Sequence, residues 1–270
     1  FIRSLLDDNP YPDPSYEAFL NALDPDTKAA WRYGSWDVFE GQYFKEFRRA
    51  KHIRHLEDLD PSLPRLGGMD WGFANPGVYL WAVCLPDGHL HIEREYKFQQ
   101  TVAAEVGQEI LRRNAQNGLT LMTTDADPSM WIRQGQTGES VAETLQRAGV
   151  PLKRANHERI NGWQRLRHWL RDAPPGPDGV AWPWLTFDPD CEYLIRTLPA
   201  LIHNMTNFED LDTDGDDHAA DALRYLVMGR TAPPGLKAKP PLPPDSLGAM
   251  MQELVQAGQG IMGSGNVRSR

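Results

Sequence analysis

The sequence predicts an α/β domain, a mixed β-sheet flanked by helices, on three observations. Three strand-like runs follow one another between Leu66 and Tyr96. From residue 101 the pattern changes to helix and short strand in alternation. Acidic clusters then stand where strands close or a helix opens: Gly67-Gly68-Met69-Asp70-Trp71-Gly72, Thr124-Asp125-Ala126-Asp127-Pro128, and Asp214-Gly215-Asp216-Asp217-His218-Ala219-Ala220-Asp221. A three-strand meander followed by helix–strand alternation is the layout of a ribonuclease-H-like sheet, a pattern that other α+β folds share.

Each element has its own signal. Val78 to Leu85 is a continuous apolar run, read as a buried strand, and Pro86-Asp87-Gly88 is a hairpin turn. His89 to Tyr96 alternates like a strand with one wet face. Val102, Val106, Ile110 and Leu111 mark a helix over residues 101–116, and Leu119 to Thr123 is a short strand running into the second acidic cluster. Ser140 to Ala148 reads as a helix and Val150-Pro151-Leu152 as the entry to a strand. Ile160, Trp163, Leu166 and Leu170 form a helical stripe. After a Pro/Gly loop come a strand at Trp184 to Phe187 and a helix at Tyr193 to Ile202. Asp216 or Asp217 is expected to cap a last helix, with Ala219, Ala222, Leu223, Leu226 and Val227 on one face and Gly229 ending it.

Composition limits the function classes. Forty per cent apolar residues and nine Trp among 270 residues can bury a sizeable core. A net charge of −9 argues against a basic DNA-coating module, but does not exclude a site that must itself be acidic to hold cations. Cys84 and Cys191 form no CxxC pair and suit a reducing compartment. No apolar run reaches the roughly 18 residues of a membrane span. The chain opens on Phe1-Ile2-Arg3 and reads as a piece of something longer. Three segments are expected: a Pro- and aromatic-rich stretch over 1–60 packed on the main domain, the α/β domain over 61–230, and a disordered tail over 231–270.

The acids carry the chemistry. Asp70 follows two glycines that let another backbone come close, so it is placed either to hold a metal or to cap a turn. Asp125 and Asp127 are expected to face opposite ways, one toward a metal and one into the polar turn before Pro128. Asp217 and Asp221 share a helix face, as do His218 and Asp221. Asp221 lies within an apolar helical face, where an unpaired carboxylate is costly; a metal or a base such as Arg159 would relieve it. Phosphodiester hydrolysis suits such a set, because two divalent ions about 3.5–4 Å apart can activate water and stabilise the leaving oxygen. Mg²⁺ or Mn²⁺ would find hard oxygen ligands here. A rival is a calcium-binding EF-hand loop, nearly matched by Asp210-x-Asp212-x-Asp214-Gly215-x5-Asp221; it has Asp rather than Glu at position 12 and occurs once. Lys153, Arg154, Arg159, Arg165, Arg167 and Arg171, against the single acid Glu158, form a basic run that could track phosphates, with Arg133 nearby. Trp163 and Trp169 read as core, His157 and His168 as structural or functional alike, and Arg224 and Tyr225 as braces of the last helix.

Together the motifs resemble the nuclease domain of the large terminase subunit of tailed bacteriophages. Asp7-Asp8-Asn9-Pro10, Gly34-Ser35-Trp36-Asp37 and Gly41 to Phe47 resemble the stretch that joins its ATPase to its nuclease. Gly68-Met69-Asp70-Trp71-Gly72, Ala126-Asp127-Pro128-Ser129 and Asp217-His218-x-x-Asp221-Ala222-Leu223-Arg224-Tyr225 resemble its three acidic motifs, and Arg159-x-x-Gly162-Trp163 is similar to a motif of some members. The resemblance implies a metal-dependent endonuclease that cuts concatemeric viral DNA in the host cytoplasm during virion assembly. It makes Asp70, Asp127 and Asp221 the acidic triad, with Asp217 and His218 accessory and Asp125 in reserve. It implies the ATPase domain, the portal and the small terminase subunit as partners, and makes residues 1–60 the linker from that ATPase. No GxxxxGK[ST] occurs in this sequence, so phosphates of ATP have no such cradle here. Rival functions are a junction resolvase or transposase-like nuclease of the same fold, told apart by preference for branched DNA, and a non-catalytic DNA-guiding or Ca²⁺-binding domain.

Overall fold

The computed structural model describes residues 41–133, 138–176 and 179–231. Residues 1–40 of the expected Pro- and aromatic-rich stretch and the expected tail beyond residue 231 lie outside the described residues. The elements are α1 (Arg49–His52), β1 (Arg65–Asp70), β2 (Gly77–Cys84), β3 (Leu90–Phe98), α2 (Ala103–Gln116), β4 (Leu121–Ala126), α3 (Val141–Ala148), β5 (Leu152–Arg154), α4 (Arg159–Trp169), β6 (Leu185–Phe187), α5 (Glu192–Thr197) and α6 (His218–Met228).

The six strands form one mixed sheet in the order β5-β4-β1-β2-β3-β6. β1, β2 and β3 are the antiparallel meander, while β4 pairs parallel to β1 and β5 parallel to β4. The meander sits at the centre because its strands are apolar on both faces. Val78, Leu80 and Ala82 of β2 face the layer of α4, α5 and α6; Tyr79 and Trp81 face the layer of α2 and α3. Trp81 is fully buried because its indole N–H finds a partner, donating to Asn114 Oδ1 at 2.7 Å. α3 starts where Ser140 and Glu143 form a reciprocal capping box and stops at Gly149 in the left-handed conformation. In the described part of the N-terminal segment, Tyr43, Phe44 and Phe47 are buried among α4, α5 and α6.

Three elements differ from the sequence expectation. β4 runs Leu121–Ala126, later than expected, because Gly118 turns left-handed (φ 62°) and Leu119 donates back to Asn114 O before pairing with β1 begins. Asp125 therefore lies inside the strand. α5 stops at Thr197 and continues as a tighter turn over Leu198–Ala200, since Pro199 brings no N–H to the helix ladder. Asp217 occupies the N-cap position of α6, but its side chain makes no capping bond. Asp216 does not cap either; it accepts from Tyr193 Oη and pairs with Arg196 at 3.4 Å.

α6 crosses directly over β1. Gly68 makes this possible: a Cβ there would stand 2.5 Å from the Ala222 carbonyl oxygen. The close approach brings the N-terminal turn of α6 to the C-terminal end of β1.

Candidate active site

The carboxyl ends of β1 and β4, with the start of α6, form an acidic mouth. Side chains converge here because β1 and β4 are parallel neighbours whose chains leave to opposite sides, β1 to its antiparallel neighbour β2 and β4 to β5. Asp70, the last residue of β1, is 8% exposed. Its Oδ2 lies 3.2 Å from His218 Nδ1. Burial pushes the Asp70 carboxyl up to about 7; the His218 hydrogen bond opposes this, while the charges of Asp221 and Asp127 add to it. The same hydrogen bond raises the His218 imidazole against its own burial.

Asp127 directly follows β4, and its backbone N–H donates to Met69 O at 3.0 Å, so it sits beside Asp70. Its side chain caps the Pro128–Trp131 turn, accepting from Ser129 N at 2.9 Å and from Ser129 Oγ. Asp125 is buried, and a Cβ on Gly229 would run into its carboxylate. Lys153 pairs with it at 3.3 Å, while burial raises its carboxyl. The expectation that Asp125 and Asp127 face opposite ways is corrected: strand alternation puts residues two apart on one face, and Asp127, just past the end of β4, is the one that fills the polar turn before Pro128. Asp125 meets the end of α6, and Asp127 acts on Asp70 and on Tyr225 of the same helix.

On α6, Asp221 Oδ1 accepts from Arg224 Nε at 2.9 Å and Nη2 at 2.6 Å, and Arg159 Nη1 lies 3.7 Å from Oδ2. Arg224 is 3% exposed, and its guanidinium lies 4.8 Å from the Trp163 ring centroid. Gly162 opens the room for it, since a Cβ there would come within 2.6 Å of Arg224 Cγ. Asp217 is buried and pairs with Arg159 Nη2 at 3.5 Å; burial raises its carboxyl first, with Asp221 adding and Arg159 opposing. The sequence weighed Asp210 only as a calcium-loop position. Here it accepts from Arg159 Nε at 2.7 Å and Trp163 Nε1 at 2.9 Å. No signal along the chain announces a pair 51 residues apart.

The basic run does not form one open stripe. Arg159 turns inward to the acids, Arg167 pairs with Glu46 at 3.0 Å, and Arg165 donates to the Arg230 carbonyl. Arg133 pairs with Glu143 at 3.5 Å, and Arg154 lies over the Trp131 ring at 5.4 Å. Arg171 and Arg154 are exposed. His157 is exposed and His168 half-buried; burial lowers the His168 imidazole. Trp163 and Trp169 are core. The acids of the calcium-like run also separate: Asp214 is exposed, Asp210 holds Arg159 and Asp221 holds Arg224.

Among the described residues no three His, Cys, Asp or Glu side chains stand close enough to share a metal ion as they are placed here. Their donor chemistry nevertheless fits one. Asp70 is a buried carboxylate with two further carboxylates acting on it, a state that a divalent cation relieves.

This architecture, a mixed six-stranded sheet flanked by helices, is that of the large-terminase nuclease domains, which are ribonuclease-H-like. The nuclease domain of the P22 large terminase superposes with a TM-score of 0.55 at 14% identity, covering 72% of this chain and 94% of that one. A large terminase from a thermophilic bacteriophage, in complex with ADP, superposes with a TM-score of 0.54 at 17% identity, covering 83% of this chain and 53% of that one. The chain thus spans about half the length of that second protein. No protein-family model and no curated protein matches the sequence. Among the described residues no helix is long and apolar enough to cross a membrane.

Proposed function

We propose that this chain is the nuclease part of a phage large terminase, a Mg²⁺- or Mn²⁺-dependent endonuclease that cuts concatemeric double-stranded DNA. The observation that carries the proposal is Asp70: a buried carboxylate at a strand end, bound to His218, with Asp127 and Asp221 acting on it. Asp70, Asp127 and Asp221 would hold the metal, with Asp217 and His218 assisting. Asp127 is preferred to Asp125, because Asp125 is taken up by Lys153 and packed on Gly229. Bound divalent ions supply Lewis acidity and an activated water for phosphodiester hydrolysis. The residues of the chain orient that chemistry: His218 holds the Asp70 carboxylate, and Arg224 fixes Asp221 on α6. Arg154 and Arg171, both exposed, would meet DNA phosphates first, and Lys153, Arg133 and Arg165 would have to exchange their present partners to join them. An ATPase domain, a portal and a small terminase subunit would be its partners, in the host cytoplasm.

The test is nicking or linearisation of supercoiled plasmid with Mn²⁺, Mg²⁺, Ca²⁺ or EDTA, beside Asp70→Ala. Cleavage in Mn²⁺ or Mg²⁺ that disappears in EDTA and in Asp70→Ala is the expected result. Metal-dependent cleavage that survives Asp70→Ala would sink the site assignment. Preference for branched over linear duplex would favour a resolvase.

A further inference from the structure

We infer that Arg159 is a built-in counter-ion that competes with a divalent cation for Asp217 and Asp221, and that Asp210 sets how strongly it competes. The inference rests on the metal-dependent function proposed above. Its basis is an asymmetry in how the guanidinium is held. Nε is hydrogen-bonded to Asp210 Oδ1 at 2.7 Å. Nη2 and Nη1 stand 3.5 Å from Asp217 and 3.7 Å from Asp221, at ion-pair distance, and Nη2 is buried without a hydrogen-bond partner.

An arginine placed to brace α6 would spend its N–H groups on the helix acids. Arg224 already does so, with two bonds to Asp221 Oδ1 at 2.9 and 2.6 Å. Arg159 acts on the same acids by charge, at a range where a half-buried pair interacts strongly. An arriving cation must share Asp217 and Asp221 with it. Asp210 holds the guanidinium by its Nε, from a segment beside the His203↔Leu211 bridge. Removing Arg159 therefore strengthens the pull on a cation. Neutralising Asp210 frees Arg159 toward the acids and weakens that pull. A merely structural Arg159–Asp210 tie gives both changes the same sign.

The experiment is calorimetric titration of Mn²⁺ into the full chain without DNA, at pH 8 and fixed ionic strength. The proteins are wild type, Arg159→Met, Arg159→Lys, Asp210→Asn and Asp70→Ala. Arg159→Met is expected to bind Mn²⁺ on the order of tenfold more tightly. Asp210→Asn, which keeps an oxygen acceptor for Trp163 and Arg159 but removes the charge that holds the guanidinium, is expected to bind several-fold more weakly. Arg159→Lys keeps the charge and should stay within about twofold of wild type. In EDTA, Arg159→Met should melt below wild type and gain more from added Mn²⁺. Weaker or unchanged Mn²⁺ binding in Arg159→Met, or shifts of one sign in Arg159→Met and Asp210→Asn, overturns the inference while leaving the metal site standing. Equal Mn²⁺ binding in wild type and Asp70→Ala overturns the metal site itself, and the inference with it.

Discussion

Gly68 of β1 lies against the backbone of Ala222 in α6, so closely that an added Cβ would stand 2.5 Å from the carbonyl oxygen. The contact lets a helix carrying His218 and Asp221 lie flat over the strand that carries Asp70. Gly68→Ala must push α6 away from the sheet. It is expected to cost on the order of 2–4 kcal/mol, read from urea denaturation, and to abolish cleavage. Gly215→Ala is the control: a Cβ there meets Leu201 at an ordinary 3.5 Å, and stability should barely change.

Asp70 makes the metal-free site a stability defect at neutral pH. Its folded carboxyl is pushed up to about 7 from 3.8, chiefly by burial. A raised carboxyl stabilises the fold only while protonated, so that stability is present below about pH 4 and is lost as pH rises toward 7. The loss can reach about 4 kcal/mol. Asp70→Asn should therefore melt above wild type in EDTA at pH 8 and show no advantage at pH 4. Equal melting at both pH values would refute the burial argument.

His91 gives the opposite slope. It is fully buried, with Nδ1 on Thr186 Oγ1 at 2.9 Å, and burial lowers its imidazole to about 4 from 6.5 despite the nearby Asp188. A lowered imidazole keeps the folded protein neutral while the unfolded chain takes up a proton. Stability is flat above about pH 6.5 and falls as pH drops toward 4, by about 3 kcal/mol. His91→Asn should lose that part of the acid sensitivity, seen as a smaller drop in denaturation midpoint between pH 7.5 and 4.5.

Arg224 and Gly162 form one packing unit. Arg224→Met leaves Asp221 with only the looser Arg159 contact, and should cost roughly 3–5 kcal/mol, as for a broken buried pair. Gly162→Ala should displace the same guanidinium and reduce both stability and cleavage. Circular dichroism melting and the plasmid assay check both variants. If Gly162→Ala matches wild type in each, Arg224 can shift without consequence for Asp221.

The exposed cations predict a salt response. Binding to linear duplex should be weak at physiological salt and rise steeply at low salt, since each phosphate contact releases counter-ions. Arg154→Ala with Arg171→Ala should flatten the slope of log affinity against log salt by up to about 2. An unchanged slope would place the DNA on another surface.

Much of this molecule was legible in the sequence because the signals are local. The apolar run Val78 to Leu85, the stripe Ile160-Trp163-Leu166-Leu170 and Gly229 after the last helix each report a backbone period or terminus within a few residues. Asp70, in the run Gly67-Gly68-Met69-Asp70-Trp71-Gly72, stood out for the same reason. The side chains' partners were not legible, because the sheet order β5-β4-β1 and the crossing of α6 bring distant segments together. The sequence by itself determined the type and order of most strands and helices and the residues able to carry acid chemistry. Only the tertiary structure decided that Asp125 packs against Gly229, that Lys153 pairs with it, and that Arg159 turns from the surface to Asp210, Asp217 and Asp221. Periodicity is a property of neighbours in the chain, whereas charge pairing acts through space among residues that the fold alone makes adjacent.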